Sequence, residues 1–210
     1  MINILIADDH ELIREGLKKI LKKELDMEVL GEARNAQEVF DQVKNRNLSI
    51  VLLDISMPGL SGLDVLTELR RNYPKLPVLI LSMHPEDRFA VRALKAGAAG
   101  YVTKDSAVGE LVKAIRKVVT GGRYVSVRLA EKLADDLEKG SEKPLHETLS
   151  DREFQVMRMV AAGKKISEIA EELSLSISTV NTYRTRILEK MGMETNVQLT
   201  RYAFENHLIE

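Results

Sequence analysis

Three short apolar stretches of this chain end in charged residues. They are ILIADDH at 4–10, VLLDISMPG at 51–59 and GYVTKD at 100–105. Their ends supply Asp8, Asp9, Asp54 and Lys104. Such apolar runs are typical of buried parallel strands, and ligand sites of open α/β sheets form at the carboxyl ends of the strands. Three carboxylates and one ammonium group at that edge predict a magnesium-dependent pocket that accepts a phosphoryl group.

The chemistry expected of this pocket is nucleophilic attack by a carboxylate on phosphorus, which forms an acyl phosphate. Mg²⁺ reduces the repulsion between the two anions by bridging their oxygens, and two or three carboxylates suffice to hold it. Lys104 would balance the remaining charge, and Ser82 is placed to hydrogen-bond a phosphoryl oxygen. A single acid at a strand end is often a helix N-cap instead, and for Asp9 taken alone that alternative stays open.

The elements that must position these residues are five strands alternating with helices. The strands are predicted over residues 2–7, 28–33, 49–53, 77–82 and 99–103. Apolar residues at helical spacing follow the first, third and fifth strands: Leu12, Ile13, Leu17, Ile20 and Leu21; Leu63, Leu66 and Leu69; Leu111, Ala114, Ile115 and Val118. This alternation predicts an α/β fold with a parallel sheet that is covered on both faces.

The pattern changes after Gly122. A helix is predicted over 126–138, with Leu129, Leu133 and Leu137 four residues apart, and the polar stretch KGSEKPLHE at 139–147 indicates a linker. The remainder contains no strand pattern, and helices are predicted over 151–162, 166–173, 177–190 and 196–207. Ser150 and Glu153 have the spacing of a capping box, and Gly163 is a plausible helix stop.

Composition sets mild limits on function. The chain has 210 residues, a net charge of −1 and no cysteine, which excludes disulfides and thiol catalysis. Its length allows one or two domains. Charged residues at 8–11 interrupt the first apolar run, so no signal peptide is predicted, and no run approaches the roughly 18 apolar residues of a membrane span. We therefore expect a cytoplasmic protein without a membrane partner.

The helices over 166–173 and 177–190 have the spacing of a helix-turn-helix, whose second helix enters the major groove of DNA. The turn at 174–176 lacks the usual glycine. On a helical wheel, the inward residues of the second helix are Val180, Tyr183, Ile187 and Met191. The outward residues are Ser178, Asn181, Thr182, Thr185 and Glu189. This small polar face suits base edges, since Asn can pair with adenine and Thr can contact the thymine methyl group.

Phosphate contacts are expected from cations beside that face. They are Arg184, Arg186 and Lys190 on the second helix, and Lys164 and Lys165 just before the first. Residues 145–210 carry eight Lys and Arg against ten Asp and Glu, whereas 177–190 carry three basic residues and one acid. Affinity for DNA must therefore come from a local patch. We expect a dimer that places two recognition helices about one DNA turn apart.

The set Asp8, Asp9, Asp54, Ser82 and Lys104, with Met57-Pro58-Gly59, LSMH at 81–84 and KAGAAGY at 95–101, resembles the receiver domain of two-component response regulators over about residues 1–120. The resemblance implies that Asp54 accepts the phosphoryl group as 4-aspartylphosphate. It implies Mg²⁺ ligation by Asp9, Asp54 and the backbone carbonyl of Ser56, with help from Asp8. Ser82 and Tyr101 would be a switch pair, with Tyr101 following Ser82 inward on phosphorylation.

The stretch LSDREFQVMRMVAAGKKISEIAEELSLSISTVNTYRTRILEKMG at 149–192 resembles the LuxR-type helix-turn-helix. The features that carry this resemblance are LS-x-RE, EIA in the first helix and STV at the start of the second. The two resemblances together are those of the NarL/FixJ class and span nearly the whole chain. They imply a flavodoxin-like (βα)5 receiver over 1–120 with a five-stranded parallel sheet. A linker with one helix over 121–147 and a small all-α four-helix domain over 148–210 would follow.

The resemblance also implies which residues contact DNA. The base readers would be Asn181, Thr182 and Thr185, and Ser178 and Tyr183 would also contact DNA. The family usually has lysine at the position of Asn181 and histidine at that of Tyr183. The last helix would supply a dimer face, and its alternative role is a fourth core helix. The residues concerned are Val197, Leu199, Ala203 and Phe204.

The function expected from these patterns is that of a transcription regulator. A sensor histidine kinase would phosphorylate Asp54, and the phosphorylated chain would dimerise and bind promoter DNA. A phosphohydrolase is the alternative from another class, but such enzymes need a second acid near the nucleophile, and residue 56 is Ser. We therefore expect slow self-dephosphorylation and no enzymatic turnover. A third alternative, an output that binds only protein, is opposed by the STV helix.

Overall fold

The computed structural model describes residues 1–57, 60–83, 86–105, 108–127, 129–131, 134 and 144–209, with the backbone alone for 86–88, 108 and 151. The chain forms two compact units, Met1–Asp135 and Asp136–Glu210. Much of the predicted linker, including Leu133 and Leu137, lies outside the described residues. Within the described residues, no helix is both long enough and apolar enough to cross a membrane.

Within the described residues, the first unit contains a five-stranded parallel sheet and five helices with defined bounds, and residues 127, 129–131 and 134 are also helical. The strands are β1 (Ile2–Ala7), β2 (Met27–Ala33), β3 (Ile50–Asp54), β4 (Val78–Ser82) and β5 (Gly100–Thr103). The helices are α1 (Glu11–Leu21), α2 (Ala36–Asn45), α3 (Gly62–Asn72), α4 (Glu86–Lys95) and α5 (Val108–Val119). The strand order is β2-β1-β3-β4-β5, which is the flavodoxin-like order. The predicted fold class is confirmed, and each strand ends within one residue of its predicted boundary.

The sheet is buried on both faces, as expected for strands covered by crossover helices. All five residues of β3 and of β4 are buried. One face packs Ile4, Ile6, Leu52 and Leu81 against α1 and α5. The predicted apolar stripe of α1 is wrong at Leu12, which is 87% exposed, because the buried face of this helix runs through Arg14, Leu17 and Leu21.

In the described residues of the second unit, all regular secondary structure is helical. A 3₁₀ turn (Leu145–Thr148) precedes α6 (Asp151–Ala161), α7 (Ile166–Glu172), α8 (Ile177–Met191) and α9 (Asn196–Glu205). The predicted capping box is confirmed, since the Ser150 hydroxyl accepts from the Glu153 N–H and the Glu153 carboxylate accepts from the Ser150 N–H. Gly163 ends α6 in the left-handed region, with φ of 83°.

The turn between α7 and α8 closes without glycine. Ser174 takes the left-handed conformation, with φ of 52°. Its N–H donates to the carbonyl of Glu171 over 3.1 Å, and the N–H of Leu175 donates to the carbonyl of Ala170 over 2.8 Å. These two bonds form a Schellman motif, which satisfies the last carbonyls of α7. The backbone hydrogen bonds therefore hold the turn in a conformation that serine rarely adopts.

Candidate functional site

The predicted pocket residues meet at the carboxyl end of the sheet, beside the point where the strand order reverses between β1 and β3. Asp8 follows β1, and its N–H donates to the carbonyl of Ala33 over 3.0 Å. Asp54 is the last residue of β3, and Ser82 is the last of β4. Lys104 follows β5, and its N–H donates to the carbonyl of Ser82 over 2.8 Å. Backbone pairing thus positions the side chains at the crevice where such folds bind ligands.

Gly62 allows α3 to begin directly against the backbone of the acceptor strand. Its N–H donates to the carbonyl of Ile55 over 2.9 Å. A Cβ atom at this position would lie 2.2 Å from the carbonyl oxygen of Asp54 and 2.6 Å from the Cα of Ile55. Only glycine fits such a close approach without displacing the backbone. The position of Asp54 therefore depends on a residue eight positions later in the chain.

Lys104 is the cation of the pocket. Its Nζ lies 2.6 Å from Asp8 Oδ2 and 3.0 Å from Asp54 Oδ2. All three side chains are buried, at 5% exposure or less, and Asp9 is 31% exposed beside them. Three carboxylates thus face one ammonium group, and the pocket has an excess of negative charge in a place with little solvent to screen it.

The pKa values reflect this imbalance. Burial raises the pKa of Asp54, and the nearby Asp8 carboxylate raises it further, against the opposing effects of Lys104 and the backbone N–H of Ser56. Burial alone would lower the pKa of Lys104, but the attraction of Asp54 and Asp8 outweighs it, and the pKa of Lys104 is raised. The lysine therefore stays cationic, whereas the ionised form of Asp54 is disfavoured until a further positive charge arrives.

The pocket contains a group of side chains that could hold a metal ion. Asp8, Asp9, His10 and Asp54 each offer a ligand atom, and these atoms all lie within 4.8 Å of one another. Among the buried oxygens, Asp8 Oδ2 and Asp54 Oδ2 pair with Lys104, and Asp9 Oδ1 lies 3.0 Å from His10 Nδ1; the described residues give these three oxygens no other hydrogen bond. Carboxylate oxygens with free lone pairs are the ligands that hard divalent cations prefer, so the residues fit Mg²⁺.

The structure gives positions for Ser56, Ser82 and Tyr101, and parts of their predicted roles stay predictions. The N–H of Ser56 contacts the Asp54 carboxylate, and metal ligation by its carbonyl stays a prediction. Ser82 and Tyr101 are completely buried. Tyr101 thus has the inward position here, and the outward position that a switch requires also stays a prediction. Pro58, Gly59 and His84 lie outside the described residues.

The second unit presents the predicted polar face of α8. Val180, Ile187 and Met191 are buried. The predicted outward residues are all exposed, and they are Ser178, Asn181, Thr182, Thr185 and Glu189. Tyr183, predicted inward and also proposed as a DNA contact, is half-buried. The orientation of α8 is confirmed, and the contacts of this face with bases stay predictions.

The cations expected to touch phosphate differ in their surroundings. Lys190 pairs with Glu153, with 2.6 Å between Nζ and Oε2, and Lys164 pairs with Glu172. Arg184 is half-buried and donates through Nε to Asn196 Oδ1 over 2.7 Å. Two exposed cations, Arg186 and Lys165, form no ion pair with any residue that the structure describes. These two are the better candidates for phosphate contacts, because the other three have intramolecular partners.

Comparison with known proteins identifies the family. Residues 4–116 match the response regulator receiver domain, and residues 147–203 match the bacterial regulatory proteins of the luxR family. The response regulator UvrY of Escherichia coli strain K12 is 37% identical over 209 residues, which cover 99% of this chain and 96% of UvrY. The chain belongs to the LuxR-family response regulators. It is therefore a DNA-binding transcriptional regulator of a two-component system.

Other relatives agree with this assignment. The response regulator GacA of Pseudomonas protegens is 37% identical over 211 residues, which cover 100% of this chain and 99% of GacA. RcsB of Salmonella enterica serovar Typhimurium, solved bound to promoter rprA with the phosphomimetic BeF₃⁻, is similar with a TM-score of 0.66 and 27% identity. That alignment covers 96% of this chain and 98% of RcsB. A LuxR-family two-component response regulator from Aurantimonas has a TM-score of 0.60 and 34% identity, over 64% of this chain and 96% of the other.

Sequence reasoning missed two residues of this response regulator's pocket. His10 received no role, although it directly follows the acid pair, and a histidine beside carboxylates is itself a signal of metal ligation. Arg14 lies among apolar residues of α1, where the sequence pattern gives it no role. Its buried guanidinium donates to the Asp8 carbonyl over 2.8 Å and to Glu32 Oε2 over 3.1 Å, so it holds the end of β1 in place. The linear pattern carries no signal for that contact.

Proposed function

We propose that a sensor histidine kinase switches this regulator by transferring a phosphoryl group to Asp54 in the presence of Mg²⁺. The phosphorylated chain then dimerises and binds promoter DNA. The observation that carries the proposal is the pairing of Lys104 Nζ with Asp8 and Asp54, at 2.6 and 3.0 Å, in a buried pocket with an excess of carboxylates. The excess negative charge of such a pocket would be neutralised by one divalent cation, which would also bind the incoming phosphoryl group.

The chain's own residues would perform the transfer as follows. A carboxylate oxygen of Asp54 attacks phosphorus, an O–P bond forms, and the bond between phosphorus and the kinase histidine breaks. Lys104 stays positively charged and binds a phosphoryl oxygen, while the Ser82 hydroxyl is positioned for another. Asp9, Asp54 and the Ser56 carbonyl would hold Mg²⁺, with Asp8 supporting it, and the ion when bound would neutralise charge on the phosphoryl oxygens.

The same pocket argues against rapid turnover. Hydrolysis of the acyl phosphate needs a general acid or base beside the nucleophile, and the residue two positions after Asp54 is Ser56. The chain would therefore keep its phosphoryl group long enough to signal and lose it only slowly. This supports a role as a phosphoprotein switch and not as an enzyme.

Promoter binding would use the exposed face of α8. Asn181, Thr182 and Thr185 would read base edges in the major groove, while Arg186 and Lys165 would contact phosphates. The RcsB structures support this proposal, because RcsB was solved bound to promoter rprA and also as a complex with DNA. The weak local charge supports binding as a dimer, since one module makes few phosphate contacts. A protein with these tasks works in the cytoplasm.

Labelling with a small phosphodonor tests the acceptor. Wild-type chain incubated with acetyl phosphate and Mg²⁺ should gain one phosphoryl group by intact mass, and Asp54→Asn should gain none, because an amide oxygen is not a nucleophile of this kind. Asp41→Asn, on the exposed surface of α2, is the matched control and should label normally. Labelling of Asp54→Asn at the full rate would contradict the assignment.

Binding to promoter fragments tests the DNA contacts. Asn181→Ala and Thr185→Ala should each cost roughly 1–3 kcal/mol on the preferred operator and relax its sequence preference. Arg186→Ala should instead weaken binding to all sequences and reduce the salt slope by about one. An unchanged operator preference in the Asn181 and Thr185 variants would show that another face of the domain reads the bases.

A further inference from the structure

His10 lies against the carboxylates of the phosphoacceptor pocket and has no part in the function proposed above. Its Nδ1 is 3.0 Å from Asp9 Oδ1 and 3.3 Å from Asp8 Oδ1. We infer that His10 adds a nitrogen ligand to this pocket, which makes it a site for a borderline transition-metal ion such as Ni²⁺ or Zn²⁺. His10 would act on the same carboxylates that the proposed function assigns to Mg²⁺, and the inference rests on that assignment.

The geometry suits one ion bound by several protein ligands. Nitrogen and oxygen ligands lie about 2.0–2.2 Å from Zn²⁺, so two ligands of one ion are at most about 4.4 Å apart. The separations of 3.0 and 3.3 Å around His10 are within that limit, and the largest spacing in the group, 4.8 Å, needs only a small movement. Asp8 Oδ2, Asp9 Oδ1 and Asp54 Oδ2 are buried, and apart from the pairs with Lys104 and the contact between His10 Nδ1 and Asp9 Oδ1 they receive no hydrogen bond from the described residues.

The local backbone holds the imidazole at this place. His10 is the residue before α1, and its N–H donates to Asp8 Oδ1 over 2.9 Å. The short path from Asp8 through Asp9 therefore keeps the ring next to both carboxylates. The His10 side chain is 64% exposed, whereas that of Asp8 is 2% exposed. The ring thus borders the solvent side of a buried acidic pocket, where it can meet an entering ion.

The choice of ion follows from ligand chemistry. Mg²⁺ prefers oxygen ligands and gains little from imidazole, whereas imidazole suits Zn²⁺, Cu²⁺ and Ni²⁺. Affinity of a given nitrogen and oxygen site generally rises from Mn²⁺ through Ni²⁺ to Cu²⁺ and is lower again for Zn²⁺. His10 therefore separates the two classes of ion. Because both classes use Asp9 and Asp54, they would exclude each other, and phosphoryl transfer would respond to which divalent cation is present.

Calorimetric titration of the full-length chain tests this with a readout that does not depend on phosphorylation. Ni²⁺ should bind wild type more tightly than Mg²⁺ does and should compete with it. His10→Gln should weaken Ni²⁺ binding at least about tenfold more than Mg²⁺ binding, since loss of even an outer-shell partner of a metal ligand typically costs 10–100-fold. The absorption spectrum of Co²⁺ bound to His10→Gln should lack the contribution that the His10 nitrogen makes in wild type.

Two histidine variants serve as matched controls, and Asp54→Asn reports on the shared site. His207→Gln changes an exposed residue beyond α9 and should leave Ni²⁺ binding as in wild type. His84→Gln tests a second histidine, which follows the pocket residue Ser82 by two positions in the sequence. A loss of Ni²⁺ affinity in His84→Gln and not in His10→Gln would overturn the inference, as would an unchanged ratio of Ni²⁺ to Mg²⁺ affinity in His10→Gln.

The failure of the proposed function would look different. Absence of both Mg²⁺ binding and Asp54 labelling in wild type would overturn that function, whatever His10 does. If Mg²⁺ binding and labelling depend on Asp54 but Ni²⁺ affinity is unchanged in His10→Gln, only the inference is overturned. Ni²⁺ binding that requires both His10 and Asp54 would support it.

Discussion

At the scale of single residues, the pocket is built around an electrostatic conflict. Asp54 is buried with Asp8 nearby, and one lysine faces both carboxylates. The folded chain therefore holds an ionised Asp54 at a cost, and binding of a cation would relieve that cost. Because the carboxylates of this pocket repel one another, binding of a cation or of a phosphoryl group changes its electrostatic energy. Such a pocket is suited to a conformational change that depends on the ligand.

This conflict predicts that Asp54→Asn stabilises the fold. The pKa of Asp54 is raised in the folded chain by burial and then by Asp8, so the free energy of unfolding decreases as the pH rises through that folded pKa. At pH 7, without divalent cations, the Asn variant should be more stable than wild type by on the order of 1 kcal/mol. The gain should vanish as the pH falls below the ordinary aspartate pKa. Urea unfolding at pH 7 and pH 3 measures both.

Asp26→Asn is the matched control for this prediction. A hydrogen bond from Arg116 lowers the pKa of Asp26, so its ionised form stabilises the folded state at neutral pH and this contribution is lost as the pH falls. The control should therefore change stability in the opposite direction to Asp54→Asn at pH 7. A loss of stability in Asp54→Asn under these conditions would show that the pairing with Lys104 outweighs the cost of burial.

At the scale of elements, the sheet and its helices position the pocket through close backbone contacts. The start of α3 packs on the end of β3, and the guanidinium of Arg14 ties α1 to the end of β1. Both contacts immobilise a residue of the pocket without touching the place where chemistry would occur. The pocket therefore depends on helices whose sequences contain none of its acids.

Gly62→Ala tests the contact between α3 and β3. The added methyl group would lie 2.2 Å from the Asp54 carbonyl oxygen, so backbone must move, and we expect a loss of about 1–3 kcal/mol in the free energy of unfolding. Gly16→Ala, in α1, is the control. No atom lies within 4 Å of its added methyl group, and a gain of about 0.5–1 kcal/mol is expected there. Equal stability of the two variants in urea unfolding would contradict the close approach.

At the scale of the whole molecule, the last helix, α9, has one buried face and one exposed face. Leu199 and Ala203 are fully buried and belong to the core, whereas Val197 and Phe204 are 77% and 65% exposed. Seven residues separate the exposed pair, which places both side chains on one face. This face is available for dimerisation, and the core role is confirmed for the other two residues.

Phe204→Ser tests assembly of the regulator. Full burial of an apolar side chain is worth about 1.5–3 kcal/mol, so its loss from both sides of a symmetric interface should weaken dimerisation at least about tenfold. Sedimentation with beryllofluoride and Mg²⁺ measures the dimer, and binding to a two-half-site promoter should fall with it. Leu25→Ser, which changes a leucine that is 97% exposed in the receiver, is the control and should leave assembly unchanged. An unaltered dimer in Phe204→Ser would exclude this face.

The sequence by itself determined the architecture and the members of the acidic pocket. Strand length, helical spacing and capping residues specify local structure, and the carboxyl ends of parallel strands converge by topology, so Asp8, Asp54 and Lys104 had to meet. Only the tertiary structure decided what depends on distance through space. It paired Lys190 with Glu153, buried Arg14 where Leu12 was expected, and set His10 beside the carboxylates. The physical reason is that such pairings follow from packing between elements, and no repeating pattern along the chain records that packing.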